Sequence, residues 1–173
     1  MKLAVPINER DHVIGPPDAL VTVVNYGDYE CPDCRQRHRA VEKMFDQLVD
    51  SVRFVYRHFP LVNIHTHALR AAEAAEAAAA QGKFWEMHRR LYTQPNKLDD
   101  RHLRHHANEI GLDLKRFDRE MAGDAYSAQI LDDYYNSLFN GITGVPTTFI
   151  NGELYAMSGV ELLSVVKTIL KKN

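Results

Sequence analysis

A long block of helical sequence separates the strand-forming segments of this chain into two groups. Residues 65–140 contain few β-branched residues and carry apolar side chains at helical spacing, whereas strand-like runs occur before and after them. This pattern predicts the element order β-α-β, helical block, β-β-α, which is an α/β fold with an inserted helical subdomain. The helices predicted in the block span residues 65–81, 83–92, 99–111, 114–121 and 125–139.

The segment before the block predicts a strand-helix-strand unit. Residues 21–26, VTVVNY, form a β-branched run, and a second strand is predicted within residues 51–61. Between them a helix is predicted from Pro32, because proline has no N–H to leave unpaired in the first helical turn. Two strands joined in this way form a right-handed crossover in nearly all proteins. The chain before Pro16 and Pro17 is expected to be irregular.

The segment after the block predicts a hairpin and a closing helix. Thr147–Ile150 is the first strand, Asn151 and Gly152 form a tight turn, and ELYAM is the partner strand. The final stretch, SGVELLSVVKTILKKN, predicts an amphipathic helix with Ser158 as its N-cap and Glu161 three residues further on.

The bulk composition is that of an ordinary globular domain. Its 173 residues suit one domain with an insertion, which we divide into an N-terminal arm with a β-α-β half (1–64), a helical subdomain (65–140) and a β-β-α half (141–173). The net charge is −2 and long apolar runs are missing, so neither nucleic acid nor a membrane is expected as a partner. We expect a monomer.

The N-terminus carries no secretory signal as it stands. The stretch MKLAVPINERDHVIGPPD has one lysine but no apolar segment before its first polar residues. We expect a cytoplasmic protein, since a periplasmic or secreted location would require that an export signal had been removed.

The only two cysteines, Cys31 and Cys34, lie three positions apart, and three interpretations compete. A structural disulfide is the weakest, because a loop this short contributes roughly 2 kcal/mol, against about 4.7 kcal/mol for a 100-residue loop. A zinc site needs a second pair of ligands at finger-like spacing, which the histidines do not offer, so no metal is expected. The candidate histidines are predicted as solvent-facing helix residues: His65, His67, His102, His105 and His106.

A redox couple explains the placement of the two thiols best. Cys31 falls at the start of a helix, where unpaired N–H groups and the helix dipole stabilise a thiolate. Activated thiols of this kind have a pKa of about 3.5–7.5. Cys34, one turn deeper, is predicted to be more buried and protonated, which suits it to resolve a mixed disulfide formed at Cys31.

Four segments together resemble a known family: YGDYECPDC, FVYRHFPL, the helical block and GVPTTFING. The first and last resemble the thioredoxin fold, and with the helical block the chain looks like the DsbA-like thiol-disulfide oxidoreductases over residues 13–172. The resemblance implies a thioredoxin-like fold and thiol-disulfide exchange with protein substrates or small thiols such as glutathione. It also implies a redox partner that recycles the couple, and no bound cofactor.

The resemblance implies roles for individual residues. Cys31 is expected to be the exposed nucleophile and Cys34 the resolving thiol. Pro146 is expected to be a cis-proline that faces the disulfide. The substrate-binding loop is then Val145, Pro146 and Thr147, with the backbone of Val145 pairing in β fashion with the substrate chain.

One departure from the family pattern concerns proton transfer. The family often has a carboxylate six residues before the first cysteine, where it relays protons to the buried thiol. Here that position is Asn25, which cannot titrate. Asp28, Glu30 or His38 could replace the carboxylate through water, or these three could be ordinary exposed turn and helix-surface residues.

A second departure is the dipeptide Pro32 and Asp33 between the cysteines. Strongly oxidising members of the family carry a histidine there, which can donate to the thiolate. Asp33 is acidic and is expected to repel the thiolate, which stabilises the disulfide and lowers the reduction potential. We therefore predict a protein less oxidising than the periplasmic oxidases of the family.

Aromatic and apolar residues of the block have two interpretations, a substrate groove or simple core, and helical spacing favours core. They are Trp85, Met87, Leu91 and Tyr92, together with Tyr134, Tyr135, Leu138 and Phe139.

Two rival functions remain at this stage. Related folds with helical inserts conjugate glutathione or isomerise aromatic ketones, but they typically lack the second cysteine, so Cys34 argues against them. A non-redox peptide-binding module or chaperone could use the groove around Pro146 without any thiol chemistry.

Overall fold

The computed structural model describes residues 1–139, 141–156 and 161–172. The predicted α/β class is confirmed, with one five-stranded sheet and seven helices in the described part of the chain. The strands and helices are β1 (His12–Ile14), β2 (Val21–Gly27), α1 (Pro32–Leu48), β3 (Val52–His58), α2 (Ala68–Ala79), α3 (Phe84–Thr93), α4 (Asp100–Glu109), α5 (Leu114–Ala122), α6 (Ser127–Phe139), β4 (Thr147–Ile150), β5 (Glu153–Tyr155) and α7 (Leu162–Leu170).

The chain forms two compact units. The sheet unit comprises Met1–Gly27, Pro32–Arg57 and Ser137–Asn173, and the helical unit comprises Asp28–Cys31 and His58–Asn136. The loop 28–31 that ends in Cys31 thus belongs to the helical unit, whereas the helix that begins directly after it belongs to the sheet unit.

The sheet has the strand order β1-β3-β2-β4-β5. Its central strand β2 is buried on both faces, because its β-branched run leaves Val21 and Val23 with no exposed surface and Val24 with 1%. β4 pairs antiparallel with β2, and the register sets Asn25 opposite Thr148. β5 continues the sheet antiparallel to β4, as the predicted hairpin requires.

The two helices of the sheet unit pack against each other. α1 begins at Pro32, as predicted, and buries Val41 and Met44 on one face. α7 buries Leu162 and Val166 and lies against both α1 and β2. The predicted cap of this last helix at Ser158 lies outside the described residues.

The expectation of an irregular N-terminal arm was wrong. The arm contains β1, which pairs antiparallel with β3. Arg57 on β3 holds the arm: its guanidinium donates to both carboxylate oxygens of Asp11, at 2.6 and 2.8 Å, and to the carbonyls of Val5 and Pro6. A strand of three residues is too short to show a periodic hydrophobic pattern. The contacts of this arm come from Arg57, which lies 46 positions after Asp11.

The helical unit is built around α2. This helix packs against α3, α4 and α5, and its alanines are buried because a methyl side chain lets neighbouring helices approach closely. Two glutamates are buried among them and are compensated: Glu73 accepts from Arg70 at 2.6 Å, and Glu76 lies 2.8 Å from Nε2 of His58. Within the described residues, every helix is too short or too polar to cross a bilayer.

Candidate functional site

The cysteine pair lies at the junction between β2 and α1. β2 ends at Gly27, the loop 28–31 follows, and α1 begins at Pro32. Cys31 therefore lies at the start of the helix, as predicted, and Cys34 lies in the first turn of α1. The loop is closed by the N–H of Cys31, which donates to the carbonyl of Asp28 at 3.3 Å. Both cysteines are thiols in this structure.

The prediction of an exposed Cys31 was wrong. Cys31 has 6% of its surface exposed and Cys34 has 1%, so the order of exposure is as expected but both thiols are buried. Asp28 and Tyr29 of the loop 28–31 are also almost fully buried. Pro32 and Asp33, between the two cysteines, are exposed.

Asp28 is the polar centre of this loop. Its carboxylate accepts the backbone N–H groups of Glu30, at 2.7 Å, and Leu61, at 2.8 Å, and it lies 2.8 Å from Nδ1 of His65. A buried carboxylate needs such partners, because an unpaired charge in the interior costs several kcal/mol. Asp28 is therefore not the exposed turn residue that was the alternative to a relay.

Glu30 makes a second connection to the segment 61–67, which also contains Leu61 and His65. One of its oxygens accepts the N–H of His67 at 2.7 Å, and the other lies 3.1 Å from Nδ1 of that histidine. The prediction of solvent-facing helix positions was wrong for His65 and His67, since α2 begins only at Ala68 and only 19% of the His65 side chain is exposed. It was also wrong for His106, which is fully buried in α4.

The charges around His65 favour its protonated form. Burial alone would lower the pKa of His65, but the hydrogen bond and charge of Asp28 outweigh it, with help from the charges of Glu30 and Cys31, so the pKa is raised. The charge of Cys31 is thus one of the influences on this imidazole. Sequence analysis missed this, because nothing in the spacing links Asp28 to a histidine 37 positions later.

The sheet unit, to which Cys34 belongs, also contains a buried neutral pair. Asn25 is buried, and its side-chain oxygen accepts the hydroxyl of Thr148 at 2.8 Å. The amide therefore has a fixed partner from the neighbouring strand. The position at which the family often has a titrating carboxylate is here an uncharged hydrogen-bonded site.

Arg37 is a charged residue that sequence analysis overlooked. It lies one helical turn after Cys34, is 5% exposed, and places its guanidinium 5.0 Å from the ring centre of Tyr155. Burial lowers the pKa of Arg37, while the charges of Tyr155 and Cys34 act in the opposite direction. His38, one of the relay candidates, is also buried, with Nε2 3.5 Å from a carboxylate oxygen of Glu42.

The loop before β4 contains the predicted substrate-binding residues. The Val145–Pro146 peptide bond is cis. Thr147 opens β4 opposite Tyr26 near the end of β2, and its hydroxyl donates to the carbonyl of Gly144 at 2.6 Å. This register sets the loop beside the strand end that leads toward the cysteine motif.

An aromatic cluster in the helical unit surrounds Tyr29. The Tyr29 hydroxyl lies 3.0 Å from Nδ1 of His88, and the ring of Tyr29 packs on Tyr92 at 4.8 Å between centroids. Of the residues weighed as groove or core, Met87, Leu91 and Tyr92 are buried core. Tyr135 and Phe139 on α6 are instead exposed, at 60% and 92%.

Comparison with known sequences identifies the family. A sequence profile described as thioredoxin matches residues 7–168. The chain therefore belongs to the thioredoxin family, within which its fold is that of the DsbA-like thiol-disulfide oxidoreductases.

Solved structures share this fold over almost the whole chain. A thioredoxin-like oxidoreductase from Silicibacter pomeroyi has a TM-score of 0.79 at 29% identity, covering 95% of this chain and 92% of that one. BdbD from Bacillus subtilis, in its oxidised form, has a TM-score of 0.77 at 21% identity, covering 92% and 91%. The thiol-disulfide exchange protein alpha-DsbA2 from Wolbachia pipientis has a TM-score of 0.80 at 19% identity, covering 96% and 89%.

Sequence relatives include much longer proteins. The chain is 46% identical over 153 residues to a protein named Na(+)/H(+) antiporter NhaA 3 from Salinispora tropica, and the match covers 87% of this chain and 23% of that protein. It is 42% identical over 168 residues to Na(+)/H(+) antiporter NhaA 1 from Salinispora arenicola, covering 96% and 26%. The chain thus spans about a quarter of the length of these curated relatives.

Proposed function

We propose that this protein is a thiol-disulfide oxidoreductase that works through Cys31 and Cys34. The observation that carries the proposal is the placement of the two thiols, one directly before α1 and one in its first turn, in a member of the thioredoxin family. The N-terminus of a helix favours negative charge, so the thiol at its start is the better nucleophile. The second thiol is held within the helix, ready to react with a group bound to the first.

The reaction balances without a cofactor. The Cys31 thiolate attacks a substrate disulfide, one substrate sulfur leaves as a thiolate, and a mixed disulfide forms at Cys31. The Cys34 thiolate then attacks the Cys31 sulfur, which forms the Cys31–Cys34 disulfide and releases the second substrate sulfur. Two electrons pass from the pair to the substrate, and a dithiol partner returns them. The reverse sequence oxidises a dithiol.

The substrates are protein disulfides or dithiols and small thiols such as glutathione. The loop Val145, Pro146 and Thr147 would hold a protein substrate, and its position next to the end of β2 supports this role. An extended peptide that binds there would pair with the loop backbone, which gives affinity without selecting one side-chain sequence.

The couple is expected to be less oxidising than the strong oxidases of the family. Asp33 is exposed in the first turn of α1, where its carboxylate competes for the helix dipole and repels a thiolate. Because solvent screens an exposed charge, the effect on the potential is modest. In a reducing compartment, a couple of this kind would work in the direction of disulfide reduction.

The test is the equilibrium reduction potential of the pair, titrated in glutathione buffers. We expect a value near or below about −250 mV, and a value of about −120 to −150 mV would make the protein an oxidase and remove the argument from Asp33. Asp33→Asn is the matched variant and is expected to raise the potential. If the pair does not exchange with glutathione at all, the proposal falls to the non-redox binding module.

A further inference from the structure

The loop 28–31 is tied to the segment 61–67 by two carboxylates. The carboxylate of Asp28 accepts the N–H of Leu61 and pairs with Nδ1 of His65. The carboxylate of Glu30 accepts the N–H of His67 and pairs with Nδ1 of the same residue. All of these residues belong to the helical unit, so the arrangement is internal to one compact body. The residue that ends this loop is the proposed nucleophile, Cys31, whose N–H donates to the carbonyl of Asp28 at 3.3 Å. Asp28 therefore contacts both Cys31, through its backbone, and His65, through its side chain.

The two histidines are not equivalent. His65 pairs with a carboxylate whose side chain is fully buried and which also accepts two backbone N–H groups, so its position is fixed from several directions. His67 pairs with Glu30, and the two side chains are 41% and 25% exposed. A charge on His65 is therefore screened less by water than a charge on His67.

The charged groups near His65 differ in the conditions under which they favour its protonated form. Asp28 favours the imidazolium through its hydrogen bond and its charge, and Glu30 favours it through its charge. Cys31 favours it only as a thiolate. An imidazolium at His65 and a thiolate at Cys31 therefore stabilise each other.

We propose that His65 is a positioning residue of the redox centre: held by Asp28, it presents a positive charge to Cys31 and stabilises the Cys31 thiolate. This inference rests on the proposed function, in which that thiolate attacks the substrate. His65 thereby supplies a positive charge that the dipeptide between the cysteines does not, since Asp33 of that dipeptide is negatively charged. The residue that supplies this charge lies in a segment far from the cysteines in the sequence.

The chemical consequence concerns both reactivity and redox balance. A stabilised thiolate is present at lower pH, so Cys31 reacts with disulfides and alkylating agents under mildly acidic conditions. Stabilising the thiolate also favours the reduced pair and raises the reduction potential, in opposition to Asp33. When His65 loses its proton at higher pH, its contribution disappears.

The first experiment follows the His65 ring by NMR as a function of pH, in the reduced protein and in Cys31→Ser. We expect the ring of His65 to keep its proton to a higher pH in the reduced protein, because only there does it face a thiolate. Equal titration midpoints in the two proteins would overturn the proposal. This measurement requires no change at His65, so it stands even if variants at that position fold poorly.

The second experiment separates charge from structure. His65→Asn keeps an N–H donor at the position of Nδ1, toward Asp28, but cannot carry a charge, whereas His65→Lys restores a positive charge. In a Cys34→Ser background, iodoacetamide alkylation of Cys31 at about pH 6 is expected to slow about tenfold in His65→Asn. His65→Lys is expected to recover most of the rate and to flatten its dependence on pH.

The matched control is His102→Asn. His102 also pairs through Nδ1 with an aspartate, Asp99, at 2.6 Å, but it lies at the start of α4. It is expected to leave the alkylation rate unchanged. An unchanged rate in His65→Asn, or an equal loss in His102→Asn, contradicts the proposal.

The two proposals fail in different ways. Alkylation and the ring titration measure the Cys31 thiolate and need no redox turnover. If the wild-type pair does not exchange with glutathione while His65 still controls alkylation, the proposed function fails and the role of His65 holds. If the pair cycles normally while His65→Asn has the same alkylation rate and the same potential as wild type, only the role of His65 fails.

Discussion

The two thiols of this protein differ in the kind of charged group that surrounds them. Cys31 ends a loop of the helical unit, whose neighbourhood consists of titratable pairs, Asp28 with His65 and Glu30 with His67. Cys34 lies in the sheet unit, where Arg37 one turn away carries a charge that does not titrate at physiological pH.

This difference teaches where pH can act on the reaction. The attack by Cys31 is expected to depend on pH near neutrality, because a histidine acts on it. The resolving step by Cys34 is expected to depend on Arg37 as a permanent cation. A buried amide, Asn25, occupies the position at which the family often has a carboxylate, so it adds no titration of its own.

The largest effects are expected from the cysteines themselves. Cys31→Ser and Cys34→Ser should both abolish steady-state disulfide reduction, because each removes one half of the electron-pair transfer. Only Cys34→Ser should accumulate a mixed disulfide with glutathione, detectable as an added mass on the intact protein. Accumulation in Cys31→Ser instead would exchange the roles of the two thiols and reverse the comparison.

Asp28→Ala is expected to destabilise the protein strongly. It removes the acceptor of two backbone N–H groups and of His65, and each buried donor left without a partner costs about 1–3 kcal/mol. Urea unfolding should show a loss of about 3 kcal/mol or more. Asp33→Ala, at an exposed position, is the control and should change stability by less than about 0.5 kcal/mol.

Arg37→Met tests the sheet-unit side of the comparison. Methionine keeps an unbranched stem for packing but removes the charge near Cys34. The lifetime of the mixed disulfide at Cys31 should increase about tenfold at neutral pH, while alkylation of Cys31 stays unchanged. Arg39→Met, at an exposed position of the same helix, is the control. An equal lifetime in wild type and Arg37→Met would show that the resolving step does not use this cation.

The smallest predicted effect compares two histidines of the helical unit. Burial, together with the nearby cationic side chains, outweighs a hydrogen bond to the carbonyl of Lys97 and lowers the pKa of His106, whereas the pKa of His65 is raised. The stability contributed by His65 is fully present below its unfolded pKa, about 6.5, and is lost as pH rises through the folded value. For His106 the stability is present above the unfolded pKa and is lost as pH falls through the folded value.

Urea unfolding of the reduced protein at mildly acidic and mildly alkaline pH checks these opposite signs. The stability difference between wild type and His65→Asn should shrink as pH rises. The difference between wild type and His106→Asn should grow over the same range. Two differences that move in the same direction would remove the distinction between the two histidines.

The parts of the fold that sequence analysis predicted are those set by local pattern. The β-branched run of β2, the proline at the start of α1 and the turn at Asn151 and Gly152 each act over a few residues, so the strands and helices were found close to their bounds. The placement of Cys31 and Cys34 around the start of α1 follows from the same local signals.

The parts that sequence analysis missed depend on contacts between distant residues. β1 pairs with β3, whose Arg57 also binds Asp11 next to β1, and the buried Asp28 contacts a histidine from the segment before α2. Hydrophobic periodicity carries no information about which acid meets which base across such separations. The burial of Cys31 was missed for the same reason, since it follows from how its loop packs.

The alanines of α2 bear on how this sequence can change over time. A tract such as AAEAAEAAAA suggests at first sight a stretch in which almost any small or helix-forming residue would serve. Yet Ala71, Ala74, Ala75, Ala77 and Ala78 have no exposed surface, and three helices lie against this one. Any larger side chain there must displace a neighbouring helix. This alanine-rich segment, although simple in composition, therefore tolerates few substitutions.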